Sequence, residues 1–110
     1  MAGKEPDGRT LDALYEVIEG RRKADPESSR TAKLFNRGVP KIAQKVGEEA
    51  VEALIEGVAG DRDRLTEESA DLLYHLLVLW AACEVSPKEV WKALEARRGT
   101  AWSDQNNGAV

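Results

Sequence analysis

From Leu72 to Cys83 the chain reads LLYHLLVLWAAC, with no charged residue while His75 is neutral. A helix that is apolar almost all round must be covered on most sides. The run falls short of the ~20 residues that would span a bilayer. It therefore demands a place inside a protein core. A chain of 110 residues makes one domain with a modest core. So few helices cannot cover such a segment alone, and a homo-oligomer, a dimer packed helix on helix, is expected.

The neighbouring segments read as helices too. Leu11, Leu14, Tyr15, Val17 and Ile18 give an apolar stripe to a first helix from Thr10 to about Lys23. Asp25-Pro26-Glu27-Ser28-Ser29 makes a loop. A short helix from Arg30 to Arg37 should stop at Gly38. Pro40 suits the first turn of a third helix, in which Ile42, Ala43, Val46, Ala50, Leu54 and Val58 recur at helical spacing up to Gly60. Asp61 or Asp63 can cap a fourth helix running to about Cys83. Ser86-Pro87-Lys88-Glu89 is a capping box for a fifth, ending near Arg98. Nothing reads as a strand. The expected fold is all-α, an antiparallel bundle of four to five helices over residues 10–98. Residues 1–9 read as a flexible leader and 99–110 as a flexible tail, in which Trp102 could dock.

Cys83, the single cysteine, has no internal disulfide partner and is expected as a small core residue. The first residues are polar and charged, unlike a secretory signal, so a cytoplasmic, reducing setting is expected. The formal net charge of -4 argues against a nucleic-acid binder. No membrane partner is expected either.

The chemistry lies in the acids on either side of Gly60. Lys45, Glu49, Glu52 and Glu56 share one stripe of helix three, and Arg64, Glu68, Asp71 and His75 share one of helix four. Glu52 and Glu68 stand equally far from Gly60 along the chain, as do Glu49 and Asp71. At ~1.5 Å rise per residue, a hairpin turning at Gly60 sets each pair level. Four carboxylates gathered beside a core repel unless they protonate or find cations. Oxygen donors suit Mg²⁺ or Mn²⁺. A di-iron bundle would need two Glu-x-x-His motifs, and zinc finds too few Cys and His ligands. Lys45 or Arg64 could instead neutralise the acids as salt bridges, and either acidic motif alone is common on a solvated helix face. His75 is a candidate accessory residue, or a hydrogen-bonded half-buried one.

Charge is also segregated. Arg21 to Lys45 holds eight basic residues against two acids, whereas Val46 to His75 holds nine acids against two arginines. A basic lobe beside an acidic cluster suits a polyphosphate and its metal ion.

The segments SRTAKL (Ser29 to Leu34), GVPKIAQKVGEEAVE (Gly38 to Glu52) and GDRDRLTEESADLLYHLLVL (Gly60 to Leu79) resemble the phosphoribosyl-ATP pyrophosphohydrolases of histidine biosynthesis. The likeness runs from about Leu11 to Arg98. A broader kinship is implied with the MazG-like all-α nucleoside triphosphate pyrophosphohydrolases. The resemblance implies a dimeric helical bundle that splits 1-(5-phosphoribosyl)-ATP into 1-(5-phosphoribosyl)-AMP and pyrophosphate with Mg²⁺. It implies metal binding by Glu49, Glu52, Glu68 and Asp71, with Glu48 as an extra acid that either binds metal through water or orients the attacking water. Lys33, Lys41 and Lys45 match basic positions suited to phosphates. Arg30 stands where many members carry tyrosine, which removes a ring that could stack there. The cyclohydrolase domain fused to some relatives would not fit in this length, so the chain is expected to act alone.

Two other functions share parts of this pattern. A housecleaning nucleoside triphosphate pyrophosphatase would keep the metal site and change the base pocket. A non-catalytic helical dimerisation module would keep the acids only as a solvated seam.

Overall fold

The computed structural model describes residues 5–99. Five helices follow in order: α1 (Arg9–Gly20), α2 (Arg30–Arg37), α3 (Val39–Ala59), α4 (Arg62–Ala82) and α5 (Pro87–Arg98). No strand occurs among the described residues. Trp102 and the rest of the tail beyond Gly99 lie outside them, as do the first four residues of the leader.

The boundaries follow local chemistry. The Ser29 hydroxyl accepts from the Ala32 N–H and starts α2. Gly38, at φ 92°, ends α2 and starts α3, with Pro40 in the first turn of the new helix. Gly60, at φ 77°, adopts the left-handed conformation that reverses the chain, and the Asp61 carboxylate then caps α4 through the Arg64 N–H. Ser86 and Glu89 form a complete capping box on α5.

α1 stops at Gly20, earlier than the expected Lys23. The chain tightens there: the Arg22 N–H bonds back to the Glu19 carbonyl. The Arg22 side chain turns inward, donating to the Ala81 carbonyl with its guanidinium 4.7 Å from the Phe35 ring centroid.

Cys83 corrects a second expectation, because it is exposed rather than buried. The apolar run ends in a Schellman turn at that point. The Glu84 N–H bonds the Ala81 carbonyl, and the Val85 N–H bonds the Trp80 carbonyl. Glu84 takes the left-handed position at φ 62°. Cys83 is thereby carried out of the core.

α3 and α4 form the central antiparallel pair, the most extensively packed in the molecule, with α1 and α2 laid across it and α5 against α1. Ile18, Leu34, Ile42, Leu77, Val78 and Ala81 make the buried core, flanked by Leu11, Leu14, Tyr15, Phe35, Tyr74, Leu79 and Trp80. Trp91 donates its indole N–H to Asp12 at 2.8 Å and meets Trp80 edge to face, which seats α5.

α3 departs from the expected single stripe. It buries Ile42, Glu49 and Ala53 against the rest of the chain. Its opposite side carries Val51, Leu54, Ile55 and Val58, all exposed, Val58 to 88%. The helix thus has two apolar faces, and this chain covers only one. Lys41, Lys45, Glu48, Glu52 and Glu56 form the charged border between them at ~100° per residue.

Candidate metal and phosphate site

The hairpin positions the acids. Glu49 projects from α3 toward α4 and is only 9% exposed. Glu68 and Asp71 come from α4, one turn apart. One carboxylate oxygen from each of Glu49, Glu68 and Asp71 lies within 4.8 Å of the others. Glu52 joins through a side-chain hydrogen bond with Glu68. Both expected level pairs across the hairpin therefore meet.

The electrostatics of the group are strained. The Glu68 carboxyl is pushed above the usual glutamate range, first by burial, then by the hydrogen bond with Glu52 and the negative charges of Glu52, Glu49 and Asp71. Glu68 therefore keeps its proton to higher pH than a free glutamate does. Its Oε1 is buried without a hydrogen-bond partner. A buried acceptor left bare is costly.

The nearby cations do not relieve this. Arg64 pairs with Glu56 at 3.9 Å and Asp61 at 3.8 Å, at the closed end of the hairpin. Lys45 pairs with Glu48 at 3.6 Å. Among the described residues no ion pair reaches Glu49, Glu68 or Asp71. The salt-bridge alternative for this trio therefore finds no support. An all-oxygen donor set, a bare buried oxygen and mutual repulsion fit a hard divalent cation.

The other candidates fall around this centre. Glu48 sits on the exposed border of α3, where Gln44 donates to it at 2.8 Å, outside the carboxylate trio. That hydrogen bond and the Lys45 charge hold its carboxyl below the usual range. Lys33 is exposed and Lys41 half-buried. Neither has an ion-pair partner among the described residues. His75 is buried, only 1% exposed, and its Nδ1 lies 2.8 Å from the Asp71 carbonyl oxygen. A carbonyl only accepts, so Nδ1 carries the proton and Nε2 is left bare in the core. His75 braces the helix beneath Asp71 and does not join the carboxylates.

The sequence did not announce one contact. The hydroxyls of Thr31 and Tyr74 share a hydrogen bond of 2.6 Å that ties the start of α2 to α4, one turn past Asp71. The threonine of the SRTAKL segment was its only local signal.

An all-α hairpin with acids opposed across its two long helices is consistent with the MazG-like class of nucleotide pyrophosphohydrolases. Residues 11–98 match the family described as phosphoribosyl-ATP pyrophosphohydrolase. Three relatives carry the name phosphoribosyl-ATP pyrophosphatase. That of Azospirillum brasilense is 53% identical over 107 residues, covering 97% of this chain and 96% of the relative. That of Paramagnetospirillum magneticum is 54% identical over 99 residues, covering 90% and 91%. That of Roseobacter denitrificans is 56% identical over 99 residues, covering 90% and 94%. The chain belongs to the phosphoribosyl-ATP pyrophosphohydrolase family and is a hydrolase of phosphoric anhydrides.

Proposed function

We propose that the chain hydrolyses the α–β phosphoanhydride of 1-(5-phosphoribosyl)-ATP, giving 1-(5-phosphoribosyl)-AMP and pyrophosphate, the second step of L-histidine biosynthesis, in the cytoplasm. The observation that carries this is the close approach of Glu49, Glu68 and Asp71, within 4.8 Å of one another, with no ion pair to any of the three among the described residues. Glu49, Glu52, Glu68 and Asp71 would hold Mg²⁺, or Mn²⁺ in its place. When bound, such an ion neutralises triphosphate charge and makes a nearby water more acidic.

The chain's own groups do the rest. Lys33, Lys41 and Lys45 bind phosphate oxygens as point charges and steady the leaving pyrophosphate. Glu48, ionised and adjacent to Glu49, accepts a proton from the attacking water. His75, through its Nδ1–H, fixes the turn of α4 that presents Asp71.

The active unit is a homodimer. Val51, Leu54, Ile55 and Val58 form an exposed apolar stripe at helical spacing on a helix already packed on its other side. A second copy seated there covers the stripe and comes to border the acids, which line the edge of the same helix. No helix among the described residues is long and apolar enough to cross a membrane. With a net charge of -4, a nucleic-acid partner is not part of this proposal.

Phosphorus NMR of phosphoribosyl-ATP incubated with the protein and Mg²⁺ tests the assignment. Pyrophosphate and phosphoribosyl-AMP should appear together, and ordinary nucleoside triphosphates should react far more slowly. Comparable rates on ordinary triphosphates would make the chain a housecleaning pyrophosphatase. Absence of any Mg²⁺-dependent cleavage would leave only a dimerisation module.

A further inference from the structure

We propose that α2 carries a second anion site, in which Arg30 and Arg37, on either side of Lys33, bind the 5-phosphate of the substrate's ribosyl group. This rests on the substrate proposed above, which bears anionic groups at both ends: a triphosphate, and a phosphate on the added ribose.

Three observations lead to it. Arg30, Lys33 and Arg37 stand at i, i+3 and i+7, so they share one stripe of α2. None has an ion-pair partner among the described residues, where Arg9, Arg22, Lys45, Arg64 and Arg98 have one and Arg21, Lys23, Lys41, Arg62, Lys88 and Lys92 do not. The chain holds 20 acids against 16 lysines and arginines. Three uncompensated like charges on one short helix are therefore not forced by a shortage of carboxylates. Like charges at this spacing repel, and an anion laid along them removes the repulsion.

The third observation sets the position. The Arg30 guanidinium lies 5.8 Å from the centroid of the Tyr74 ring. The Tyr74 hydroxyl is bonded to Thr31, the next residue of α2. Tyr74 is one turn beyond Asp71 on α4. The stripe thus starts at Arg30, on the side of α2 that meets Tyr74, and extends ~10 Å along α2 to Arg37. A nucleotide whose triphosphate meets the carboxylates has its other phosphate separated from them by a nucleoside and a ribose, and the stripe offers cations across such an interval. Arg30 is exposed beside that ring, so its planar fork is open to a phosphate from solvent.

Paired ligands test this. Phosphoribosyl-AMP and AMP differ by the phosphoribosyl group, so calorimetry with both in Mg²⁺ isolates its contribution. In the full chain, Arg30→Gln and Arg37→Gln should each weaken phosphoribosyl-AMP about tenfold and AMP by less than about twofold, as expected for one charged hydrogen-bonding group. Lys92→Gln on α5, the same charge change elsewhere, should alter neither. Arg30→Lys should recover part of the loss. Equal weakening of both ligands, no weakening, or the same loss in Lys92→Gln would overturn the site. Turnover of phosphoribosyl-ATP by the unsubstituted protein separates the two failures. If pyrophosphate is released but the discrimination is absent, this inference falls alone. If the unsubstituted protein does not cleave phosphoribosyl-ATP, the substrate assignment falls and takes the site with it.

Discussion

Replacing Glu49 with glutamine should stabilise the metal-free protein and abolish its response to Mg²⁺. Two unit charges at the 4.8 Å limit of the trio repel by about 0.9 kcal/mol in water and about 3.5 kcal/mol at an effective dielectric near 20. Asp71 is exposed while Glu49 is almost buried. The lower half of that interval therefore applies to this pair, about 1–2 kcal/mol. The new amide also offers a donor to the bare Oε1 of Glu68. For a domain of this size each kcal/mol moves the melting temperature by about 4–8 °C. Melts in EDTA near neutral pH should show Glu49→Gln above the unsubstituted protein by about that much per kcal/mol. Saturating Mg²⁺ should reverse the order: an ion at ~100 times its Kd adds about 2.7 kcal/mol to a protein that binds it, and nothing to one that does not. A variant less stable than its parent in EDTA, yet still stabilised by Mg²⁺, would refute both the repulsion and the metal role.

Other outcomes follow from the fold. Ser86→Ala removes the hydroxyl that caps α5 and should cost about 1 kcal/mol in thermal melts. The Ser86 backbone N–H, and then its hydroxyl, hold the Glu89 carboxyl below the usual range. A lowered carboxylate contributes stability above its unfolded value and loses it as pH falls through the folded one. Melts of Glu89→Gln should accordingly vary less with pH on the acid side than those of the unsubstituted protein. Glu84→Gly relieves a left-handed position at φ 62° and should stabilise by about 1 kcal/mol, again by melting. Val58→Glu places a charge on the exposed α3 face and should shift a dimer toward monomer in sedimentation equilibrium.

Much of the backbone was legible because its punctuation is local. Gly38, Gly60 and the Ser86–Glu89 box act within one turn of their own positions, so spacing alone placed the boundaries they govern, whereas the cap of α4 stayed open between Asp61 and Asp63 until the structure assigned it to Asp61. The meeting of Glu52 with Glu68 and of Glu49 with Asp71 was legible for a related reason. A hairpin hinged at Gly60 leaves only the rise per residue to decide which side chains stand level.

What escaped depended on partners remote in sequence. Ile42 and Val58 look alike in a pattern of apolar spacing. One is sealed and the other bare because α4 covers a single face of α3, and periodicity does not say which neighbour covers which face. Cys83 closes an apolar run, yet the turn at Glu84 lifts it out. The Thr31–Tyr74 contact, the brace from His75 to the Asp71 carbonyl and the upward push on the Glu68 carboxyl arise only once helices are packed. Arg30 read from sequence as a missing ring; the structure sets its cation against the ring of Tyr74 instead.

Pyrophosphate release from phosphoribosyl-ATP, followed for the unsubstituted protein and Asp71→Asn with Mg²⁺ and with EDTA, bears most directly on the carboxylates as the seat of the chemistry. The unsubstituted protein should release pyrophosphate only with Mg²⁺, and Asp71→Asn should be slower by about 100-fold or more while melting as a folded protein. Undiminished release by Asp71→Asn, or release that persists in EDTA, would contradict it.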